Sequence, residues 1–453
     1  MQQVPAAVTI LFAALLVAMI TSLALEEKIH AKKSVIVAIF AVVTLMLAAV
    51  FGLVRPETVE ILGHPITLPV YVPGVDWEVI AIILGSSIFV DVTSKSGLFT
   101  WIAIKLTKVS NGDPLRLLVF YGVMTVVFSA VLNNVTAMII VGTLTGVSLG
   151  KLGRTDKLLG FLLIEGFLTN VGGLLTLISS VPNIIVGNAA GITFVEFFLA
   201  SSPYVVVATA VTIWMGAAWF DIGALKDASS RAQARDLVAG FDENDGVESP
   251  GFFWFGSAMT VLFILAMASA SVTPFVKELG MGYVALSFAA VMLTRYAATA
   301  DRFYQAVDWD LLAFFGALFI VINMMELAHV LELIGAALKP IFDLGDLGGP
   351  AAMLVAAAAA SSVTDNIPLA AMLAKILGGM EIAKDSPYWW SVIFGANLGG
   401  NITPIGSAST LVAVTIIHKY KLPMSFAGFV KAAAPFAAVQ LVIAVGYVLL
   451  FLR

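Results

Sequence analysis

The chain has 453 residues, of which 60% are hydrophobic and 12% are charged, and its formal net charge is −5. So few charges cannot cover a soluble globule of this size, and the composition predicts a polytopic membrane protein with no nucleic-acid partner. The absence of cysteine excludes disulfides, thiolate metal sites and cysteine nucleophiles. The four histidines form no metal-binding motif.

The chain begins with Met1-Gln2-Gln3-Val4-Pro5, which lacks the basic segment of a signal peptide and leads into an apolar stretch of spanning length. We therefore expect a retained first membrane helix. Apolar runs of about 17–25 residues are long enough to cross a bilayer. Such runs predict spans at 6–25, 34–54, 79–94, 158–190 (interrupted), 203–220, 252–271, 281–297, 310–326, 388–417 (interrupted) and 425–451.

Two further apolar stretches, 117–148 and 350–378, each contain a polar island near the middle and predict re-entrant hairpins. The first island, 129–138, is Ser-Ala-Val-Leu-Asn-Asn-Val-Thr-Ala-Met. The second island, 361–371, is Ser-Ser-Val-Thr-Asp-Asn-Ile-Pro-Leu-Ala-Ala. Charged and amide groups at membrane depth are costly, so the islands indicate a functional site.

Three motifs occur twice in the same order. Asn134 and Asn366, one in each island, are 232 residues apart. The sequence Val-Asp-Trp-Glu at 75–78 recurs with the same offset as Val-Asp-Trp-Asp at 307–310, and Asn-Val-Gly-Gly at 170–173 recurs 227 residues later as Asn-Leu-Gly-Gly. The nearly constant spacing indicates an internal duplication.

The distribution of basic residues predicts how the two copies are oriented. If the loop with Lys28, Lys32 and Lys33 is cytoplasmic, 18 of the 24 Lys and Arg residues lie on the cytoplasmic side. The six assigned to the outer side are Arg55, Lys277, Lys339, Lys375, Lys384 and Arg453. The two hairpins then enter from opposite sides, so the repeats are inverted, as in many secondary transporters.

We therefore expect an all-α polytopic membrane protein with two inverted repeats, each with a re-entrant helical hairpin and a discontinuous transmembrane helix. The first repeat spans 1–220 and the second spans 251–453. The charged stretch 221–250 between them is predicted to be a cytoplasmic, solvated linker. The amphipathic segments 97–108 and 328–338 predict helices at the membrane interface.

The hairpin tips and the interrupted spans predict four backbone breaks at membrane depth, whose polar groups only protein or a water-filled cavity can satisfy. Carbonyl ends of half-helices favour Na+ and amide ends favour an oxyanion. For any single Gly, Ser or Thr the alternative is close helix packing. The candidate substrate- and ion-binding residues are Asn133, Asn134, Thr136, Gly172, Gly173, Thr176, Ser179, Ser180, Asn183, Thr364, Asp365, Asn366, Gly399, Gly400, Asn401, Thr403 and Ser407.

Four carboxylates within the predicted membrane segments or near their ends are considered for function. Asp365 is the only carboxylate within a hairpin tip, and the matching place in the first tip is predicted at Leu132, with Asn133 adjacent. An unpaired carboxylate at that depth is relieved by a proton or by Na+, so we expect ion coupling to involve Asp365. Glu165 is a candidate proton carrier or counter-charge, or else a buried structural carboxyl. The other two, Asp91 and Glu326, lie near span ends, where they can reach water.

These residues resemble the ion-transporter superfamily that groups arsenite permeases, the melanosomal P protein, bacterial Na+/H+ antiporters, citrate carriers and sodium-coupled dicarboxylate and sulfate carriers. Residues 129–136 are similar to its pattern Ser-Ala-x-Leu-Asp-Asn-Val-Thr, and 364–368 contain its Asp-Asn-x-Pro. Residues 170–183 and 395–407 resemble its Gly-Gly-containing loops. The resemblance covers essentially the whole chain and does not identify a substrate.

The resemblance implies Na+ coordination at Asn133, Asn134 and Thr136 with the 172–180 break, and at 364–366 with the 399–407 break. The metal candidates are thus Na+ ligands at Asn134, Asp365 and Asn366. Two departures matter, because Asn133 replaces an expected acid and Ser179-Ser180 replaces an expected Gly-Asp. The loss of two carboxylates makes the first half-site less suited to a cation and more tolerant of an anion or a neutral oxyacid.

The first hypothesis is a secondary active permease, in which alternating access moves a small anion or metalloid oxyacid, such as arsenite or a carboxylate, with Na+ or H+ coupling. The second is Na+/H+ antiport through Asp365 and Glu165. The third, an intramembrane enzyme with Ser407 or Ser409 as nucleophile, lacks a partner histidine in sequence, so we expect no enzyme. We expect a homodimer in the bacterial inner membrane, no cofactor beyond the coupling ion, and 34–54 and 281–297 in a static scaffold.

Overall fold

The computed structural model of the chain describes residues 4–54, 56–61 and 64–452. The predictions made for Met1–Gln3, Arg55 and Arg453 concern positions that lie outside these ranges. The described chain is almost entirely helical. Its helices are α1 (Ala6–Ala24), α2 (Glu26–Ile29), α3 (Lys33–Val50), α4 (Trp77–Lys95), α5 (Leu98–Val109), α6 (Pro114–Val131), α7 (Asn134–Lys151), α8 (Leu158–Gly172), α9 (Val181–Ala190), α10 (Phe194–Trp219), α11 (Ala228–Ala239), α12 (Pro250–Ser269), α13 (Val276–Leu293), α14 (Asp301–Ala306), α15 (Trp309–Leu327), α16 (Val330–Phe342), α17 (Gly345–Ser361), α18 (Asn366–Gly379), α19 (Pro387–Gly399), α20 (Ala408–Lys419) and α21 (Phe426–Phe451).

Nine of the described helices are long and apolar enough to cross a membrane. The shorter helices α9, α18 and α20 are apolar half-helices of the hairpins and of the interrupted spans. Single 3₁₀ turns lie at Thr155–Lys157, Leu177–Ser179 and Thr294–Thr299. A two-stranded antiparallel hairpin of β1 (Glu57–Ile61) and β2 (His64–Leu68) connects α3 to α4, and the sequence analysis did not anticipate it.

The repeated Val-Asp-Trp motif starts an equivalent helix in each repeat. Asp76 accepts hydrogen bonds of 3.1 Å from the backbone N–H groups at the start of α4. Asp308 does the same for α15, accepting from Leu311 N at 3.0 Å. Each adjacent Trp donates its indole N–H to a carbonyl five residues earlier, Trp77 to Val72 and Trp309 to Tyr304. The motif therefore caps a helix and fixes the direction in which the chain enters it.

The two repeats have inverted topologies. The hairpin α6–α7 corresponds to α17–α18, the broken helix α8–α9 corresponds to α19–α20, and α10 corresponds to α21. Between the start of α4 and the start of the equivalent α15, the chain crosses the membrane with α4, α8–α9, α10, α12 and α13. The hairpin α6–α7 in this stretch returns to the side from which it enters. Five crossings place the two starts on opposite sides, so the second copy is upside down relative to the first.

The helices fall into two groups. The frame consists of α1, α3, α4, α12, α13 and α15, in which α3 packs along α15 and α4 packs along α13. The hairpin group consists of α6–α10 and α17–α21. Helices α5 and α16 contact both groups. The frame pairs a helix of one repeat with a helix of the other, which ties the two copies together.

The linker is docked against the first repeat. Leu225 N donates to the Asp113 carboxylate, which also caps α6, at 2.8 Å. Glu243 pairs with Lys108 and, at 3.4 Å, with Lys105 on α5. Val238 is buried. Most other linker residues are exposed, so the linker is solvated along much of its length and anchored at these points. Its assignment as a cytoplasmic connector stays a prediction.

Candidate functional site

A cavity of about 330 Å³ lies where the two hairpin tips and the two helix breaks converge. The first residues of all four half-helices face it, namely those of α7 and α18 after the tips and those of α9 and α20 after the breaks. The predicted site residues that line it are Asn133, Asn134, Thr136, Ser179, Ser180, Asn366 and Ser407. The cavity therefore gathers candidate residues from both repeats.

The first tip is held by hydrogen bonds to its own repeat. Asn133 caps α7 by accepting from Thr136 N at 2.8 Å. Asn134 accepts from Ser129 Oγ at 2.8 Å and donates weakly to Asn170 Oδ1 at 3.4 Å. The amide of Asn134 is thus fixed in orientation before any substrate arrives.

The second tip is built differently. Asp365 caps α18 by accepting from Ile367 N at 3.1 Å, so it occupies the same structural position as Asn133. The predicted counterpart at Leu132 was wrong, because the cap position and the offset of 232 residues both select Asn133. Asn366 lines the cavity, and its side chain makes no hydrogen bond to the residues that the structure describes. It is therefore available to a substrate.

Asp365 is not an unpaired carboxylate, contrary to the prediction. Lys33 Nζ, at the start of α3, donates to Asp365 Oδ2 at 2.8 Å. The two side chains are 33% and 16% exposed. Asp365 also faces away from the central cavity, into a neighbouring cavity of about 420 Å³ beside α1. The negative charge at the second tip is thus neutralised by a residue of the frame.

Equivalent hydroxyl groups brace the tips against the broken helices. Ser129 and Ser361 each donate at 2.6 Å to a carbonyl near the end of the broken half-helix, those of Thr169 and Ala396. In the reverse direction, Thr176 donates to Ala130 O at 2.6 Å and Thr403 donates to Ser362 O at 2.5 Å. The Thr bonds satisfy carbonyl groups at the tips, and the Ser bonds tie each tip to the broken helix, where Thr169 O also accepts from Gly173 N at 2.8 Å.

A second set of bonds joins the two repeats. Ser180 Oγ donates to Asn397 Oδ1 at 2.7 Å, and the equivalent Asn170 Nδ2 donates to Ser407 Oγ at 3.0 Å. Asn170 also donates to Asn401 Oδ1 at 2.8 Å. The Ser180–Asn397 and Asn170–Ser407 pairs join equivalent positions of the two repeats. They hold the breaks α8–α9 and α19–α20 side by side.

Several predicted ligands serve structure. Asn183 Nδ2 donates to Gly173 O at 2.6 Å, Thr364 donates to Ala360 O at 2.8 Å, and Asn401 donates to Gln440 Oε1 at 2.8 Å. None of these three side chains lines the central cavity, nor do Thr176 and Thr403. These five side chains brace the protein through hydrogen bonds, and for Thr176, Thr364 and Thr403 this agrees with the packing alternative. Their role as ligands stays a prediction.

The paired glycines allow the hairpins to approach the broken helices. A Cβ at Gly172 would lie 2.7 Å from Val126 Cα, and one at Gly399 would lie 2.3 Å from Ala358 O. A Cβ at Gly173 would lie 2.7 Å from Asn134 Nδ2. A Cβ at Gly400 would lie 2.8 Å from Ser407 Cβ. Gly172 and Gly399 are therefore required for steric reasons, because they face backbone atoms, whereas at Gly173 the nearest atom ends a side chain that can move.

Glu165 lies away from the cavity, inside the packing of α7 and α8. It is fully buried, and its Oε1 accepts from Thr145 Oγ1 at 2.6 Å. Among the described residues its Oε2 has no hydrogen-bond partner. Glu326, in contrast, pairs with Lys375 at 2.9 Å on an exposed surface.

The sequence analysis did not select several residues that line the cavity. Asn170 was noted only as part of a repeat, and Asp91 only as a span-end acid, whereas Ser87, Ser94 and Asp308 were not considered as ligands. Asp308 was identifiable only as a helix cap. Among the described lining residues none is Lys, Arg or His, so positive potential in the cavity comes from the helix N-termini.

Residues 1–395 match the family described as "Citrate transporter". An uncharacterized transporter of Mycobacterium tuberculosis is 30% identical over 381 residues, which are 83% of this chain and 86% of that protein. The P protein of Homo sapiens is 25% identical over 491 residues, which are 91% of this chain and 58% of that protein.

The crystal structure of the Alcanivorax borkumensis YdaH transporter, whose topology is described as unusual, shares the fold with a TM-score of 0.59. It is 14% identical in sequence, and the similarity covers 93% of this chain and 98% of that chain. Taken with nine described helices of spanning length, these matches show that the chain is a multi-pass membrane transporter that belongs to the citrate transporter family.

Proposed function

We propose that the chain is a secondary active carrier for a small anion, of which a carboxylate such as citrate is the first candidate and a metalloid oxyacid such as arsenite the second. The observation that carries this proposal is the convergence of four helix N-termini on one cavity. Each N-terminus carries a partial positive charge, and its first N–H groups have no partner within the helix. Helix N-termini bind carboxylates and phosphates on this basis.

The side chains around the cavity favour an oxygen-rich substrate. Asn366 and Asn133 offer amide donors, and Asn133 stands where a further carboxylate would repel an anion. Asp91 and Asp308 also line the cavity, so we expect the anion to bind against the helix N-termini and these amides. The family description favours a carboxylate over arsenite. We place alternating access in a movement of the hairpin group relative to the frame, because the two groups touch mainly through α5 and α16.

Coupling to Na+ or H+ is assigned to Asp365. Its carboxylate is the charged group of the second tip, and its cap bond to Ile367 N links its charge to the position of α18, which borders the cavity. A cation or a proton at Asp365 therefore acts on the same half-helix that meets the substrate.

The test is uptake of labelled citrate and of labelled arsenite into proteoliposomes, with imposed Na+ and pH gradients applied separately. We expect accumulation of one of the two substrates that depends on at least one gradient. Ser180→Asp, which adds a negative charge at the N-terminus of α9, should abolish uptake, and Ser180→Asn is its neutral control. If Ser180→Asn transports and Ser180→Asp transports equally well, the helix N-termini are removed from the proposed mechanism.

The second candidate function is Na+/H+ antiport. It is favoured by Glu165, since a buried carboxylate with one unpaired oxygen is unfavourable and a proton relieves that cost. Cation exchange in proteoliposomes without any organic anion, lost in Glu165→Gln, would support this function over the first.

We also propose a homodimer in the bacterial inner membrane. Helix α3 leaves Ile39, Val42 and Met46 exposed on the frame, and lipid or a second copy can cover them. Cross-linking of single-cysteine variants at Ile39 and Met46 in native membranes distinguishes the two. No cross-link at either position would contradict a dimer through α3.

A further inference from the structure

We propose that the Lys33 ammonium is a tethered cation that competes with free Na+ for the Asp365 carboxylate. This inference rests on the proposed function, since it specifies how the second tip meets its coupling ion. It was not evident in the sequence, where the two residues are 332 positions apart.

Among the residues that the structure describes, Lys33 is the one charged partner found at the carboxylate. Asp365 Oδ1 accepts from Ile367 N as the helix cap, and Oδ2 accepts from Lys33 Nζ at 2.8 Å. Lys33 Nζ also lies 3.6 Å from Glu26 Oε1, so Asp365 is the nearer of two acids. A free cation that binds Oδ2 at ordinary distances must displace the ammonium group.

The pair connects the two groups of helices. Lys33 begins α3 of the frame, and Asp365 lies at the tip of the second hairpin. Movement of the hairpin group relative to the frame separates the two charges. A partly buried carboxylate that loses its partner is unfavourable, so another cation must neutralise it. The ion that replaces Lys33 is thereby tied to the movement.

The apolar surroundings of the pair strengthen the interactions of both cations with Asp365. The cavity beside the pair is lined largely by apolar residues such as Leu23, Leu369 and Met372, which raise the strength of charge interactions above that in water. Lys28 lines the same cavity, and none of the ion pairs found among the described residues joins it to Asp365. Replacing Lys28 removes the same positive charge from the same cavity without breaking the pair with Asp365, so it is a matched control for replacing Lys33.

The experiment measures thermal stability of the purified, substrate-free protein in detergent over a series of NaCl concentrations, with choline chloride holding ionic strength constant. We expect Lys33→Gln to show a Na+-dependent rise in Tm of about 3 °C or more. The Na+ concentration that gives half of this rise should be at least ~10-fold lower in Lys33→Gln than in the wild type. Removing even a modest competing interaction changes an apparent affinity by this factor. Lys28→Gln should behave as the wild type.

The double variant Lys33→Gln/Asp365→Asn should lose the Na+ response. A Lys33→Gln protein that folds only in Na+ also supports the inference. The inference is overturned if Lys33→Gln has the wild-type Na+ response, if acid and not Na+ stabilises it, or if it unfolds with and without Na+. Because no substrate is present, failure to transport any anion would refute the proposed function while leaving this result unchanged.

Discussion

The two hairpin tips share their geometry and differ in their charge. In both, a Ser and a Thr brace the tip against the broken helix through hydrogen bonds of 2.5–2.6 Å to equivalent carbonyl groups. At the cap position, however, the first tip has the exposed amide of Asn133 and the second has Asp365 paired with Lys33. Bracing is required wherever backbone is broken, whereas the charge at the cap can differ without disturbing the fold.

The asymmetry extends to the amides that follow. Asn134 is held by Ser129, while the side chain of Asn366 faces the cavity without a hydrogen bond to the described residues. The Asn134 amide of the first tip is therefore held in place before substrate binds. The second tip carries both the Asn366 amide, which faces the cavity, and the Asp365 carboxylate. We infer that the second tip responds to substrate and ion, and that the first provides a fixed wall.

The largest expected effect comes from breaking the shared geometry. Gly399→Ala would place a Cβ 2.3 Å from Ala358 O, which is backbone and cannot rotate away. We expect the loss of about 1–3 kcal/mol of stability or more from overpacking, and little folded protein. Yield and Tm of the purified variant measure this effect.

Gly316→Ala is the control for that variant, because nothing lies within 4 Å of a Cβ at this helical position. It should be neutral or should stabilise by about 0.5–1 kcal/mol through helix propensity. Gly172→Ala, with its nearest atom at 2.7 Å, should fall between the two. Wild-type stability of Gly399→Ala would show that the hairpin can shift, and the shared geometry would then not be obligatory.

The second prediction concerns the charge difference. Asp365→Asn keeps the size of the side chain and an acceptor for the Ile367 N–H, but removes the charge for which Lys33 and the driving ion compete. We expect the ratio of uptake with and without the driving gradient to fall to about 1, because neutralisation no longer depends on an ion. Substrate binding should change much less.

The measurement is labelled-substrate uptake under Na+ and pH gradients, combined with equilibrium substrate binding. Thr364→Ser is a suitable control, since it keeps the hydroxyl that donates to Ala360 O beside Asp365. An Asp365→Asn variant that follows both gradients as the wild type does would exclude Asp365 from coupling.

The sequence was sufficient for the hairpins and the breaks, because each repeats at a nearly fixed offset, and for the inversion, because the basic residues are distributed unequally between the two sides. It was not sufficient for the partner of Asp365, since no periodicity relates Lys33 to a residue 332 positions later. It also could not separate residues that line the cavity from residues that brace it. Asn183 and Asn366 have the same chemistry, and only packing shows that one bonds the backbone and the other faces the cavity.

The third prediction makes the two tips electrically alike. Asn133→Asp keeps an acceptor for Thr136 N and places a carboxylate at the cap position that Asp365 occupies in the second tip. A negative charge there should lower anion affinity by roughly 10-fold, given about 1 kcal/mol for such a charge at ~4 Å in water and more in a cavity. It should also add a Na+ response in the first half-site. Unchanged anion affinity would show that the first tip does not border the substrate.

The smallest effect is expected at the linker, where Glu243 pairs with the first repeat and Glu248 pairs with Arg295 of the second. The hydrogen bond from Lys108 is the main cause that lowers the pKa of Glu243 to about 2. A carboxyl with a lowered pKa stabilises the docked state above its usual pKa, near 4.5, and loses this contribution as the pH falls toward 2. We expect faster amide exchange in α11 across that pH range, and no change in exchange in α18.

Glu243→Gln should reproduce the low-pH state at neutral pH, because it removes the charge that pairs with Lys108 and Lys105. Asp236→Asn, on α11, is the control, since none of the ion pairs found among the described residues involves Asp236. The effect should be small because exposed ion pairs contribute little and are screened by salt. If α11 exchanges equally in wild type and Glu243→Gln, the linker is held on the first repeat by its apolar contacts, Val238 among them, and Glu243 adds no electrostatic anchor there.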